Sequence, residues 1–163
     1  MIQGNRDWRE VPLRISAKAD YAVRAATELA ASDGDGLVKG ERISQAQGIP
    51  LKFLLNIMTD LRHARIVRSH RGQEGGFQLA RPPAEITLAE VIRAVEGSLT
   101  RVQESLPEEV SYEGSSRALK DVWLAVQGVL DDLLEGVTLA DVAADSLPEA
   151  VRARLLAGPP ARI

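Results

Sequence analysis

The chain has 163 residues, 45% of them hydrophobic, with no cysteine and a formal net charge of −3. That length accommodates one compact domain plus an appended element. The missing cysteine excludes disulfides, thiol chemistry and thiolate ligation of zinc or an iron–sulfur cluster. No apolar run approaches the ~18 residues a membrane helix needs. The first 14 residues carry Arg6, Asp7, Arg9 and Glu10 and lack the apolar segment of a signal peptide, so a cytoplasmic protein without membrane contact is expected.

Residues 1–13 read as a flexible leader. Trp8 is its odd member, and the leader is expected to be a tail rather than a lid. Residues 16–32 read as a helix with Ser16 as cap and Ala22, Ala25, Ala26, Leu29 and Ala30 on one face, stopped by Asp33-Gly34-Asp35-Gly36. A short helix fits 40–47, with Ile43 and Ala46 inward and Gly48 as its stop. Pro50 suits the first turn of the next helix, 50–64. There Leu54, Ile57, Leu61 and Ala64 form the core stripe and leave Lys52, Leu55, Asn56, Thr59, Arg62 and His63 on other faces. Helix, short turn and helix follow from punctuation alone.

Ile66-Val67-Arg68-Ser69 reads as a strand, the run from Gly72 to Gly76 as a turn, and Phe77-Gln78-Leu79 as the returning strand. Thr87-Leu88-Ala89-Glu90 is a capping box opening a helix to about Glu96. Residues 98–114 are polar and read as loop. A long helix follows within 115–137, capped by Ser115 or Ser116. Its apolar positions are Leu119, Val122, Trp123, Val126, Val129, Leu130, Leu133, Leu134 and Val137. That face is wider than one partner surface uses; one side suits the chain's own domain and the other a second copy, with Leu119, Val122, Trp123, Val126, Val129, Leu130 and Leu133 expected at the dimer interface. Two shorter helical candidates lie in the C-terminal part, 138–163, beginning at Thr138 and Pro148. The fold class expected is mainly α with a small β-hairpin wing.

Charge is segregated along the chain. Residues 39–81 hold eight Lys/Arg against three acids, and residues 98–163 hold six against eleven. One phosphate-facing surface and one facing away are expected. Lys52, Leu55, Asn56 and Thr59 avoid the core stripe and sit in the early turns of 50–64, where side chains meet base edges in a major groove. Asn56 suits an adenine edge and Leu55 a thymine methyl. Lys39, Arg42 and Arg68 are phosphate candidates.

The combination resembles the Rrf2 family of winged helix-turn-helix transcriptional regulators. The resemblance spans about 14–135. It is carried by Arg14-Ile15-Ser16, Asp20-Tyr21-Ala22-Val23, Ile49-Pro50 with Phe53-Leu54, and Ala64-Arg65-Ile66-Val67. It continues through the wing from Arg71-Gly72-Gln73 to Arg81, the segment around Val95-Glu96-Gly97, and Trp123. It implies a winged domain over 14–97, a homodimer held by the long helix, one winged domain per operator half-site, and control of transcription; the expectation is a repressor that binds double-stranded DNA at an imperfect inverted repeat. It also implies that the wing tip, 71–77, enters the minor groove, where Arg71 is electrostatically favoured. Many members hold an iron–sulfur cluster on three cysteines in the loop before the long helix. Here Ser105 and Ser111 stand in that loop, so no cofactor is expected.

Two rival readings accompany this one: a protein-interaction module docking a metabolic enzyme or another partner, and a metal-responsive regulator using His63, His70 and carboxylates such as Asp60. A small-molecule or protein effector remains open. No enzyme is expected. Glu108-Glu109 and Asp131-Asp132 are adjacent pairs whose side chains point apart on a helix, and no nucleophile stands with a base.

Overall fold

In the computed structural model, which describes residues 15–102 and 105–158, the chain runs α1 (Ala17–Ala31), α2 (Gly40–Gln47), α3 (Leu51–His63), β1 (Val67–His70), β2 (Gly76–Leu79), α4 (Leu88–Glu96), α5 (Leu119–Glu135), α6 (Leu139–Ala143) and α7 (Glu149–Leu156). The leader and Trp8 lie outside the described residues. Ser16 starts α1 by accepting a hydrogen bond from the Ala19 amide. Ala19, Ala22, Ala25 and Ala26 are fully buried, and Leu29 and Ala30 extend the same face. Helices α2, α3, α4 and α6 all pack on α1. The shared core holds Ile43, Leu54, Ile57, Leu61, Ile86, Val91 and Leu139.

Helices α2 and α3 form the expected helix-turn-helix, with Gly48 in the left-handed region at φ 61° closing α2. Three details differ from the sequence reading. Ala46 is exposed, because the inward face of α2 is set by Gly40 and Ile43 and turns away by position 46. Met58 is buried beside Leu54, Ile57 and Leu61. Ala64 is exposed because it caps α3 rather than continuing it, and Pro50 holds the N-cap position ahead of the first turn. After Ala64 the chain reverses: Arg65 adopts φ 59°, and the Ile66 amide donates to the Leu61 carbonyl at 2.9 Å. Glycine is the usual residue at such a position, and a left-handed arginine costs about 1–2 kcal/mol.

The hairpin pairs Val67 with Leu79, Arg68 with Gln78, Ser69 with Phe77 and His70 with Gly76. A third segment joins it. Val38 exchanges two backbone hydrogen bonds of 2.8 Å with Phe77, tying the wing to the turn before α2.

Thr87 and Glu90 form the capping box of α4 reciprocally. Helix α5 begins at Leu119, not at Ser115 or Ser116, because those serines lie in a 3₁₀ turn, Gly114–Ser116, and Ala118 caps the helix without a side-chain bond. Val137 and Leu139 are buried, the Leu88 amide donates to Val137 and the Leu139 amide to Ile86, each at 2.9 Å. Thr138 and Asp141 build a second capping box that starts α6. No helix among the described residues is long and apolar enough to cross a membrane.

The two capping carboxylates tie stability to pH. Burial pushes the Glu90 carboxyl up, but the Thr87 amide and the Arg81 guanidinium outweigh it and hold the group below its usual 4.5. The Thr138 amide and hydroxyl hold Asp141 below its usual 3.8. A carboxyl depressed by folding stabilises the protein above its unfolded value, and the contribution is lost as pH falls through the folded one. The denaturant midpoint is therefore expected to fall on acidification from about pH 5 to about pH 3. Glu90→Gln with Asp141→Asn keeps the capping acceptors but removes the charges, and should lower stability at neutral pH by about 0.3–1 kcal/mol per cap and flatten that acid limb. An acid limb of unchanged slope in the double variant would refute the assignment.

Candidate nucleic-acid interface

On α3 the positions divide into two opposed faces. Leu54, Ile57, Met58 and Leu61 point into the core, while Lys52, Leu55, Asn56 and Thr59 lie about half a turn away and are exposed. The Thr59 hydroxyl donates to the Leu55 carbonyl at 3.0 Å, leaving its methyl and lone pairs toward solvent. Leu55 is only partly free, since it and Leu51 flank the buried Gly40 together with Phe77. Phe77 thus packs against the helix-turn-helix rather than standing out as a stacking residue.

A cleft of about 470 Å³ opens between the start of α2, the outer face of α3 and the wing. Lys39, Leu55, Thr59, Arg62, His70, Arg71, Gly72 and Gln73 line it, with Glu41 the one acid. Of the residues expected to touch DNA, Lys39, Leu55, Thr59, Arg71, Gly72 and Gln73 converge here. Lys52, Asn56 and Arg42 are exposed but do not line this cleft, and Arg68 lines a second groove adjoining it. Arg62 and His70 were not among the expected DNA contacts, His70 having been considered only as a metal ligand. The spacing Thr59 to Arg62, one step further along the same stripe, carries that signal. Phe53 was also missed as a structural feature: half-exposed, it meets Tyr21 edge-on at 5.8 Å, with the Arg24 guanidinium over the Tyr21 ring at 5.4 Å.

The three wing glycines have different jobs. Gly72 sits at φ 109°, a conformation L side chains rarely adopt. Gly75 and Gly76 are needed for close approach: a Cβ on Gly75 would fall 2.3 Å from the His70 carbonyl oxygen, and one on Gly76 2.7 Å from that of Val38.

Away from the wing, α5 has two faces. Leu119, Val122, Val126, Val129 and Leu133 follow one seam; Val122 is 49% and Val129 52% exposed. Trp123, Gln127 and Leu130 follow another. Trp123 donates from Nε1 to the Tyr112 hydroxyl at 3.1 Å, Gln127 donates to Glu108 at 3.1 Å, and Lys120 donates to the Glu108 carbonyl at 2.8 Å. Trp123 therefore faces the chain's own loop. Arg93 on α4 clasps Asp131 and Glu135 of α5, which raises its already high pKa, chiefly through the hydrogen bond to Glu135.

Asp60, the carboxylate considered with His63 and His70 as a metal ligand, pairs with Lys18 at 2.9 Å. Among the described residues no group of three or more His, Cys, Asp or Glu side chains is placed to hold a metal ion. An iron–sulfur cluster does not fit the loop's donor set either. The chain has no thiolate, Ser105 is engaged in a backbone bridge with Val102, and Glu109 accepts a bond from the Leu106 amide.

A helix-turn-helix with an exposed recognition stripe, followed by a hairpin with a basic, glycine-built tip, defines a winged helix-turn-helix DNA-binding protein. Residues 15–145 match the Rrf2 family, described as iron-dependent transcriptional regulators, and the chain belongs to that family. It is 48% identical over 139 residues, 85% of this chain and 86% of the other, to Rv1287 of Mycobacterium tuberculosis (strain ATCC 25618 / H37Rv), which is named as an HTH-type transcriptional regulator. Its fold is similar to that of T. potens IscR, at TM-score 0.67 and 32% identity over 82% of this chain and 88% of that one. It is also similar to CymR, titled the global cysteine regulator of B. subtilis, at TM-score 0.69 and 30% identity over 82% and 98%. The chain is thus a DNA-binding transcriptional regulator and not an enzyme.

Gly75→Ala should cost about 1–3 kcal/mol through backbone overlap at the wing. Thermal melting measures the loss, and a melting point equal to wild type would show that the hairpin relaxes freely at this position.

Proposed function

We propose that the protein acts as a homodimer in the cytoplasm, binding an imperfect inverted repeat and repressing transcription by occupying it. The observation that carries the reading is the convergence of Leu55 and Thr59 of the α3 stripe with the wing tip on one basic cleft. Lys52, Leu55, Asn56 and Thr59 enter the major groove in this reading, and Arg71, Gly72 and Gln73 the adjacent minor groove. Lys39, Arg42 and Arg68 contact phosphates. Occupancy alone blocks polymerase, so repression needs no further part.

Dimerisation is supported by the spacing of Leu119, Val122, Val126, Val129 and Leu133. Steps of three and four residues make the seam of a two-helix contact; on it Leu119, Val122 and Val129 are exposed and Val126 and Leu133 half-buried. Trp123 and Leu130 then support the helix from its own side. Regulation proceeds without an iron–sulfur cluster, through a small-molecule or protein effector acting on the loop over 98–114, which is already docked on α5 by polar bonds.

Duplexes selected by the protein from a random pool supply the operator. Anisotropy titration against competitor DNA is expected to give tight binding to a repeat with half-site centres about 10–21 bp apart, with a log–log salt slope of about −5 to −7. Arg71→Ala should weaken binding by about 1–3 kcal/mol; an unchanged affinity would remove the wing from the interface. Val129→Glu should yield monomers in sedimentation velocity and lose the preference for two half-sites over one. A variant that stays dimeric would exclude the α5 seam.

A further inference from the structure

The second groove, about 760 Å³, adjoins the wing cleft, shares Arg62, Ser69 and His70 with it, and is further lined by Ala64, Arg65, Val67, Arg68, Ala80 and Arg81. No acidic side chain lines it. Arg81 is neutralised by Glu90 at 2.7 Å. Arg62, Arg65 and Arg68 are exposed, and within the described residues none of the three side chains has an ion pair or hydrogen bond. Three unpaired guanidinium groups around one depression repel each other, and their common complement is phosphate, which each can hold bidentately.

The backbone adds an independent sign. Arg65 is held at φ 59°, where glycine would relieve strain. A strained, exposed residue whose side chain makes no hydrogen bond or ion pair among the described residues is most simply explained by what that side chain does outside the chain. Arg62, Ser69 and His70 line both this groove and the wing cleft, so the basic surface is continuous between them. Its openness to the end of α3 suits a polymer passing through rather than an enclosed small anion.

We propose that Arg62, Arg65 and Arg68 form a second phosphate-gripping strip that continues the basic surface of the wing cleft and holds the DNA backbone beyond the wing. The inference rests on the operator-binding reading above and extends it to a longer, sequence-independent contact outside the bases read by α3. Phosphate chemistry alone would also admit a free phosphate-bearing small molecule, so the test separates the two sources.

The probe is the selected operator, either trimmed to the repeat or carrying ten extra base pairs of arbitrary sequence on each flank. The variant is Arg65→Gly with Arg68→Gln, which removes two charges and relieves the backbone strain at Arg65. A melting point at or above wild type confirms that it folds; Arg68→Gln alone repeats the measurement if it does not. Wild-type protein is expected to bind the flanked duplex more tightly than the trimmed one. Losing two phosphate contacts should make the salt slope on the flanked duplex shallower by about 2 and weaken binding at low salt by on the order of tenfold, with base preferences retained. The advantage of the flanked duplex should disappear. Equal slopes for variant and wild type on the flanked duplex would overturn the proposal, and with it the phosphate role given to Arg68, while leaving base reading by α3 and the wing intact. Saturable pyrophosphate binding, lost in the variant while both DNA slopes stay the same, would assign the groove to a free anion and overturn it too. If wild-type protein selects no duplex at all, the operator reading fails and this strip fails with it.

Discussion

A helix whose inward face is Ala19, Ala22, Ala25 and Ala26 presents little side-chain relief, and such a face lets neighbouring helices pack close. That flatness is what allows four helices to share α1 as a neighbour in so short a chain. The interhelix spacing depends on the residues at the contact, and here it brings Lys18 across to both Asp60 on α3 and the Val95 carbonyl on α4, each at 2.9 Å. The recognition helix is thereby held from behind by apolar packing and by one cation shared between two elements. Its opposite stripe needs nothing from the core and is left for recognition.

The same division explains the charge. A net negative chain can read DNA when its positive charges are concentrated where phosphate arrives and its acids are spent inside elements that face away. Glu90 and Asp141 cap helices, Asp131 and Glu135 hold Arg93, and Asp60 holds Lys18. Those carboxylates stabilise the scaffold without lining the wing cleft.

Much of this was legible from punctuation and period. Ser16, Gly48 and the Thr87–Glu90 box mark helix ends because each satisfies a specific backbone group, and the glycine-rich turn marks the wing because only glycine tolerates Gly72's dihedrals and the approach at Gly75. The errors are equally physical. Ala46 and Ala64 were placed inward because alanine is apolar, but a residue so small is indifferent to exposure and follows its helix's geometry. Ser115 and Ser116 look like caps, yet the 3₁₀ turn they occupy uses the backbone instead. Val38 pairs with a residue 39 positions away, and no local pattern encodes such a partner. The second groove was invisible for the same reason: Arg62, Arg65 and Arg68 belong to a helix end, a reversal and a strand, and only the left-handed turn at Arg65 brings them around one depression.

The bridge between Val38 and Phe77 also bears on the order in which the molecule assembles. Two four-residue strands are too short to persist as an isolated hairpin, and the stretch that would brace them begins before the helix-turn-helix. The intervening loop can close at modest entropic cost only once α2 and α3 have folded back on themselves and shortened it. The wing is therefore expected to assemble after the helix-turn-helix and to open before it, so that the contact between Val38 and Phe77 links the presentation of the wing to the seating of α2 and α3.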